Sequence, residues 1–310
     1  MLNILITGAN GQLGSSLRQL GSVSPNNYLA TDVAELDITD AGAVLQTVKE
    51  QRIDVIVNCA AYTNVERAEE DEPTADLLNH KAAAYLAAAA KETGATLIHV
   101  STDYVFDGTS ASPYREDDAV SPLGVYGQTK AAGDIAVANA PEHYILRSSW
   151  VIGEGRNFVK TMMALSDRVA DARDGLDEVT EVDDQYGRLT FTRDMAEAIF
   201  HLLDSGAPFG TYDLTGSGAV RSWADIARKV FDQANVTRDV RAWIASRAEL
   251  AQGEAFTICN PSPRTVRDVR LRFPPSMVSP LGAALSDVAL GDIFPNASAS
   301  VVAVPDLHGT

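Results

Sequence analysis

Residues 2–14, LNILITGANGQLG, decide the fold. Leu2 to Thr7 is a short apolar run, and Gly8, Gly11 and Gly14 follow at a G-x-x-G-x-x-G spacing. A helix-like segment, Ser15 to Leu20, comes next. Strand, glycine turn and helix in that order open a dinucleotide-binding βαβ unit. Glycine suits the turn because it has no Cβ to clash at positive φ. It also lets the backbone approach a pyrophosphate, which can rest on the free N–H groups of the helix N-terminus. A plain glycine turn is the bland alternative, and the residues further along the chain weigh against it.

Tyr28 to Ala30, with Thr31 and Asp32, reads as a second strand ending in an acid. A carboxylate at Asp32 can accept hydrogen bonds from adenosine ribose hydroxyls and would repel a 2′-phosphate. Leu36 to Asp40 starts a helix, with Thr39 or Asp40 as N-cap. Ile53 to Asn58 is nearly all apolar, as a strand buried on both faces should be. Ala60, Ala61 and Tyr62 follow it, and small residues after a parallel strand let a ligand come close. Thr74 to Thr93 reads as one long helix ended by Gly94. Ala95 to Ser101 is a fourth strand, with His99 inside it as a packing residue. Thr102-Asp103-Tyr104 stands at its carboxyl end, where open α/β sheets place ligands. Val125 to Asn139 is a helix and Tyr144 to Arg147 a fifth strand. This alternation specifies an α/β fold with a doubly wound parallel sheet, of Rossmann type.

Beyond Trp150 the pattern changes. Asn157 to Val169, Thr192 to Leu203 and Ser222 to Ala234 read as helices, the last with Ser222 as cap. Val179 to Val182 and Gly210 to Leu214 read as short strands. These suggest a smaller C-terminal substrate lobe. The dinucleotide-binding domain is expected over 1–150 plus about 178–204, and the lobe over 151–177 and 205–310. Within it, 257–310 is atypical. There Pro261, Pro263, Pro274, Pro275 and Pro280 interrupt any long element.

The chain has 310 residues and a net charge of −17, which argues against nucleic-acid or anionic-membrane partners. Two cysteines, Cys59 and Cys259, make neither a disulfide framework nor a metal spacing. The N-terminus shows no signal peptide and no stretch reaches a membrane span, so a cytoplasmic protein is expected.

Tyr126 and Lys130 stand at i and i+4 and share a helix face. An ammonium beside a phenol stabilises the phenolate and lowers the phenol pKa. Such a tyrosine can give a proton to a carbonyl oxygen as hydride arrives at its carbon. The Thr102 hydroxyl can polarise the same oxygen. Tyr-x-x-x-Lys alone is common on surfaces. Its weight comes from order, with the glycine loop first, then Thr102, then Tyr126 about 24 residues later.

Together these residues resemble the extended short-chain dehydrogenase/reductases and, within them, the dTDP-4-dehydrorhamnose reductase family. The motifs are ITGANGQLG (Ile6 to Gly14), LDITD (Leu36 to Asp40), NCAAYTNVERAE (Asn58 to Glu69), STDYVFDG (Ser101 to Gly108), YGQTK (Tyr126 to Lys130), RSSWVIGEGRNF (Arg147 to Phe158), DDQYGRLTFTRDMAEAI (Asp183 to Ile199) and GTYDLTGSG (Gly210 to Gly218). They span about residues 1–235. The resemblance implies reduction of the C4 ketone of a dTDP-linked 6-deoxy-4-keto sugar by NADH or NADPH, giving dTDP-L-rhamnose. It implies Thr102, Tyr126 and Lys130 as the catalytic trio. Gly8, Asn10, Gly11, Gln12, Leu13, Gly14, Asp32, Asp37, Ile38, Ala60, Ala61, Tyr62 and Lys130 would hold the cofactor. Thr63, Val65, Thr102, Asp103, Tyr126, Trp150, Asn157 and Arg188 would line the substrate site. Arg156, Lys160 and Arg188 could supply charge for the diphosphate. No metal ligands are expected, and Mg²⁺ enters only through the resemblance.

The chain departs from the family pattern at three places. Val33 replaces a common basic residue, which with Asp32 leans toward NADH. Ile152 stands where relatives often carry tyrosine. The usual Arg-Pro stretch and Asp-Leu helix start are missing from 257–310. Two other readings stay open. One is a sugar-nucleotide epimerase or dehydratase of the same fold, the dehydratase disfavoured by Tyr104 in place of Glu. The other is a non-catalytic nucleotide-binding regulatory subunit. The oligomeric state stays open too, a homodimer included.

Overall fold

The computed structural model describes residues 1–171, 176 and 178–248, then the strand residues 255–259, 266–271, 277–278, 288–293, 298–302 and 304–305, with side chains through residue 235. Its core is a six-stranded, all-parallel sheet. The elements run β1 (Asn3–Thr7), α1 (Gln12–Gly21), β2 (Asn27–Thr31), α2 (Ala41–Glu50), β3 (Val55–Asn58), α3 (Val65–Glu70), α4 (Glu72–Asp76), a π turn (Leu77–Lys81) and α5 (Ala82–Thr93). They continue with β4 (Thr96–Thr102), α6 (Val125–Val137), β5 (His143–Ser148), β6 (Val151–Ile152), α7 (Phe158–Ala170), β7 (Tyr186–Gly187), β8 (Thr190–Phe191), α8 (Thr192–Ser205), β9 (Gly210–Asp213), β10 (Arg221–Ser222) and α9 (Trp223–Ala248). Strand order is β2-β1-β3-β4-β5-β9.

The sheet is covered on both faces because its strands are apolar on both. Leu5, Ile56, Leu97 and Ile145 pack against Val44 and Val48 of α2, Leu86 of α5 and Val137 of α6. Ile4, Ile6, Val57, Ile98 and Leu146 point the other way, onto Leu13 and Leu17 of α1 and Met195 and Ile199 of α8. Unbroken runs such as Val55–Asn58, buried at every position, follow from this two-sided cover. The chain reverses its winding between β1 and β3, so a crevice opens at their carboxyl ends.

Local expectations shift in detail. Asp40 caps α2, its carboxylate accepting from the Gly42 and Ala43 N–H groups. The helix expected over Thr74 to Thr93 carries the π turn, and Gly94 closes it at φ 75°. Val179 to Val182 form no strand. Ser222 ends β10 and its hydroxyl donates to Asp183. The chain divides into two compact units, Met1–Phe158 with Asp183–Ser222, and Val159–Val182 with Trp223–Thr310. β9 completes the edge of the large sheet, so residues 210–213 belong with the first unit rather than with the lobe expected over 205–310. In the second unit, Thr180 and Glu181 face Ala224, Ala227 and Phe231 across a cavity of 440 Å³.

From residue 255 onward, Ala255–Cys259 pairs antiparallel with Ser298–Val302, Val266–Leu271 with Val288–Ile293, and Met277–Val278 with Val304–Pro305. The five interrupting prolines and the Cys259 side chain lie outside the described residues. No helix among the described residues is long and apolar enough to cross a membrane.

Candidate active site

The glycine loop follows β1 directly, at the crevice. Gly8 sits at φ 62°, and a Cβ there would lie 2.7 Å from the Ala60 nitrogen. A Cβ on Gly14 would lie 2.4 Å from the Gly8 oxygen. Loop, β3 and α1 approach this closely only because both positions are glycine. Asp32, just past β2, accepts from the Asn10 N–H at 3.2 Å, and its other oxygen accepts from the Val33 N–H. Gln12 accepts from the Gly153 N–H at 2.8 Å, tying the loop to the segment after β6. Leu13 and Ile38 turn their side chains into the core, so only their backbones are left for a ligand. Asp37 accepts from both the N–H and the hydroxyl of Thr39, which hold its carboxyl below the usual carboxylate range.

Two polar side chains brace the far side of the crevice. Asn58 ends β3 and accepts from the Ala60 N–H at 3.2 Å. Asn79, in the π turn, accepts from the Tyr62 N–H at 2.8 Å and donates to the Tyr62 carbonyl at 3.1 Å and the Thr129 hydroxyl at 3.2 Å. It thereby joins the Ala60-Ala61-Tyr62 turn to α6. The Tyr62 hydroxyl is buried with no hydrogen-bond partner among the described residues. A close-packed glycine cradle, an acid past β2 and an orphaned buried hydroxyl fit a dinucleotide.

Thr102 ends β4, and Tyr126 and Lys130 lie on α6. α6 packs tightly there, since a Cβ on Gly127 would stand 2.2 Å from the Tyr104 carbonyl and one on Gly133 2.2 Å from the Asn79 carbonyl. The Thr102 hydroxyl is near enough to the Tyr126 phenol to draw its pKa down. It also donates to Asp103 at 3.2 Å and accepts from the Tyr104 N–H at 3.2 Å. Tyr104 meets the Tyr126 ring edge-on, centroids 5.6 Å apart. Lys130 is only 2 % exposed and donates to the Val100 carbonyl at 2.6 Å. Its amine also lies 3.3 Å from His99 Nε2.

The electrostatics correct one expectation. Burial pushes the Tyr126 phenol up to about 12, against the pull of Thr102. Burial likewise brings the Lys130 ammonium down to about 8, although Asp134 opposes it. The lysine is directed at Val100 and His99, so desolvation outweighs any lowering of the phenol. Burial also raises Asp103 to about 6, while the hydrogen bond from Thr102 opposes the rise. His99 is buried in β4, as expected of a packing residue, and its Nε2 lies against the Lys130 amine.

The expected substrate residues fall in two groups. Thr63 and Val65 flank Asn64, which caps α3. Trp150, at φ 42°, lies against Gly187, where a Cβ would meet its ring at 2.8 Å. Asn157 donates to the Gly153 carbonyl at 2.8 Å and Arg188 to the Gly218 carbonyl at 2.9 Å. Both bonds fix loops after β6 and β7. Lys160 belongs to the second unit and Arg156 is exposed on the first. Asn58 and Asn79 were not singled out from the sequence. The available signal was a polar residue inside an otherwise apolar strand or helix face. Among the described residues no cluster of three or more His, Cys, Asp or Glu is placed to hold a metal.

The profile of the RmlD substrate binding domain family matches residues 2–254. The chain is 42% identical over 243 residues to the dTDP-4-dehydrorhamnose reductase of Aggregatibacter actinomycetemcomitans, covering 76% of this chain and 80% of that protein. It is 42% identical to the enzyme of the same name from Salmonella typhimurium, covering 75% and 78%. Among solved structures, the dTDP-4-dehydrorhamnose reductase of Clostridium acetobutylicum aligns with TM-score 0.71 at 40% identity, covering 76% and 81%. That of Bacillus anthracis, solved in complex with NADP, aligns with TM-score 0.69 at 36% identity over the same shares.

Proposed function

The chain belongs to the RmlD family of dTDP-4-dehydrorhamnose reductases, and from that premise we infer the roles of its own residues in the reduction. The reaction turns the C4 ketone of dTDP-4-dehydro-6-deoxy-L-mannose into the alcohol of dTDP-L-rhamnose. The nicotinamide cofactor, NADH or NADPH, supplies the hydride. The observation that carries the assignment is the convergence of Thr102, Tyr126 and Lys130 where β4 meets α6. Tyr126 gives its phenolic proton to the carbonyl oxygen, and the Thr102 hydroxyl polarises that oxygen. Burial keeps the phenol protonated before reaction, as a proton donor requires. Lys130 steadies the phenolate left behind and offers its remaining N–H to the cofactor ribose.

The glycine loop, Asp32 and the turn at Ala60, Ala61 and Tyr62 hold the dinucleotide, while Asp37 and Ile38 contribute from the segment before α2. Asp32 favours NADH over NADPH, since its carboxylate opposes a 2′-phosphate. Thr63, Val65, Asp103, Trp150, Asn157 and Arg188 line the sugar-nucleotide site. The reading is of a cytoplasmic enzyme and a homodimer; no helix among the described residues is long and apolar enough to cross a membrane.

The test is oxidation of NADH and NADPH with the 4-keto sugar generated in place by its upstream enzymes. Sugar-dependent oxidation is expected with both. Tyr126→Phe should lower kcat by about 100-fold or more and leave cofactor Kd nearly unchanged. A Tyr126→Phe enzyme with parental turnover would sink the assignment.

A further inference from the structure

The start of α1 reaches across to the chain that follows β6. Gln12 and Ser16 stand one turn apart and share a face of α1. Gln12 Oε1 accepts from the Gly153 N–H at 2.8 Å. The Ser16 hydroxyl meets the Thr192 hydroxyl at 2.7 Å, and Thr192 opens α8. Gly153 lies directly on Thr192, since a Cβ there would stand 2.3 Å from Thr192 Oγ1. β6 and β8 bring the two segments together, pairing Val151 with Thr190 and Ile152 with Phe191.

Gly153 is held through both of its backbone groups. Its N–H donates to Gln12, and its carbonyl accepts from Asn157 Nδ2 at 2.8 Å. Asn157 Nδ2 also lies 3.4 Å from the Gly155 carbonyl, so this side chain closes the turn over residues 153–157. The backbone partners fix how both side-chain amides are oriented, because an N–H only donates and a carbonyl only accepts. At the other end of the segment the Trp150 carbonyl accepts from the Thr190 N–H at 3.1 Å. Gln12 therefore faces two ways. It belongs to the first turn of α1, whose N–H groups are left for a pyrophosphate, while its carboxamide is engaged by Gly153.

We propose that Gln12 is a positioning residue for the sugar-nucleotide site: its carboxamide, set at the mouth of the glycine loop, fixes Gly153 and through it the Asn157 side chain. The inference rests on the substrate role given to Asn157 above. Without that acceptor the turn over 153–157 is less ordered before the sugar nucleotide arrives, and binding has to order it. Ground state and transition state lose alike, so the loss falls on the sugar KM rather than on kcat. The cofactor contacts of the loop, made by backbone N–H groups, stay in place.

Steady-state kinetics at saturating cofactor, with cofactor Kd measured separately, test it. Gln12→Met keeps the length of the side chain and removes the acceptor. It should raise the sugar KM about 5-fold, the worth of about one neutral hydrogen bond, with kcat and cofactor Kd each within about 2-fold. The Kd of dTDP-L-rhamnose, titrated calorimetrically onto the cofactor-loaded protein, should rise to the same extent. Gln12→Glu restores an acceptor for Gly153 and should bring the sugar KM back to within about 2-fold of the parent, while its charge weakens the cofactor. Beside Asn157→Leu, Gln12→Met should add less than about 2-fold, because residues acting through one contact are not additive. A merely structural role would lower Tm and the active fraction of Gln12→Met with the sugar KM unchanged, and that result overturns the inference. So does a rise in KM that Gln12→Glu fails to reverse, or one that persists in full beside Asn157→Leu. A parental KM in Gln12→Met beside an impaired Asn157→Leu removes this inference only. A parental KM in Asn157→Leu removes the substrate role beneath it.

Discussion

A lysine with 2 % of its surface exposed opposes folding unless its charge is put to use. The Lys130 pKa falls from its ordinary 10.5 to about 8 through burial, which amounts to about 3 kcal/mol against the folded state at neutral pH. A depressed lysine pKa means that the folded state binds its proton more weakly than the unfolded chain does. The cost is therefore complete below about pH 8 and fades as pH rises toward 10.5. Lys130→Met removes the charge and keeps most of the volume. It also leaves the Val100 carbonyl and His99 short of a partner, which offsets about 1–2 kcal/mol. Lys130→Met should raise Tm by about 3 °C at pH 7, and by less at pH 9.5, while abolishing turnover. Thermal melts of both proteins at the two pH values check this, and a variant less stable at pH 7 would show that the lysine's hydrogen bonds outweigh its burial. The trio itself was legible in the sequence, because Tyr126 and Lys130 are four residues apart on one helix. The contact of His99 with Lys130 was not, because it joins residues 31 positions apart and depends on strand register.

Helix α6 is placed by what its glycines permit. A methyl group at Gly127 would meet the Tyr104 carbonyl at 2.2 Å, and backbone cannot rotate aside as a side chain can. Gly127→Ala must therefore push α6 away from the segment after β4, moving Tyr126 off Thr102. The expected cost is about 1–3 kcal/mol of stability, with kcat falling by about 100-fold. Urea unfolding and steady-state kinetics check both, and near-parental kcat would mean that the segment at Tyr104 yields instead. The parallel strands were legible because two-sided burial leaves unbroken apolar runs such as Val55–Asn58. β9 was harder to place, since its four residues are all only partly buried and join the sheet edge through long-range pairing with β5. The π turn at Leu77–Lys81 was not legible either. One extra residue in a helical repeat changes no composition, yet it faces Asn79 toward Tyr62 and Thr129.

At the scale of the molecule, a net charge of −17 sets the terms on which anionic ligands arrive. A nucleoside-diphosphate sugar and a nicotinamide dinucleotide are both anions, and NADPH carries an additional phosphate. At about 10 mM ionic strength the Debye length is near 30 Å, so an approaching ligand senses most of the chain's excess of carboxylates. At about 150 mM it is near 8 Å, and only groups lining the site act. Long-range repulsion is screened first, whereas a hydrogen bond to a buried group is hardly screened. kcat/KM should therefore rise about 2- to 5-fold between these salt concentrations, more with NADPH than with NADH. The NADH preference expected from Asp32 should narrow over the same range without vanishing, because the Asp32 carboxylate would act at contact distance. Initial rates with each cofactor in a series of potassium chloride concentrations measure both effects. A kcat/KM that falls with salt would place a local cationic cluster, such as Arg156 and Arg188, ahead of the global charge in steering.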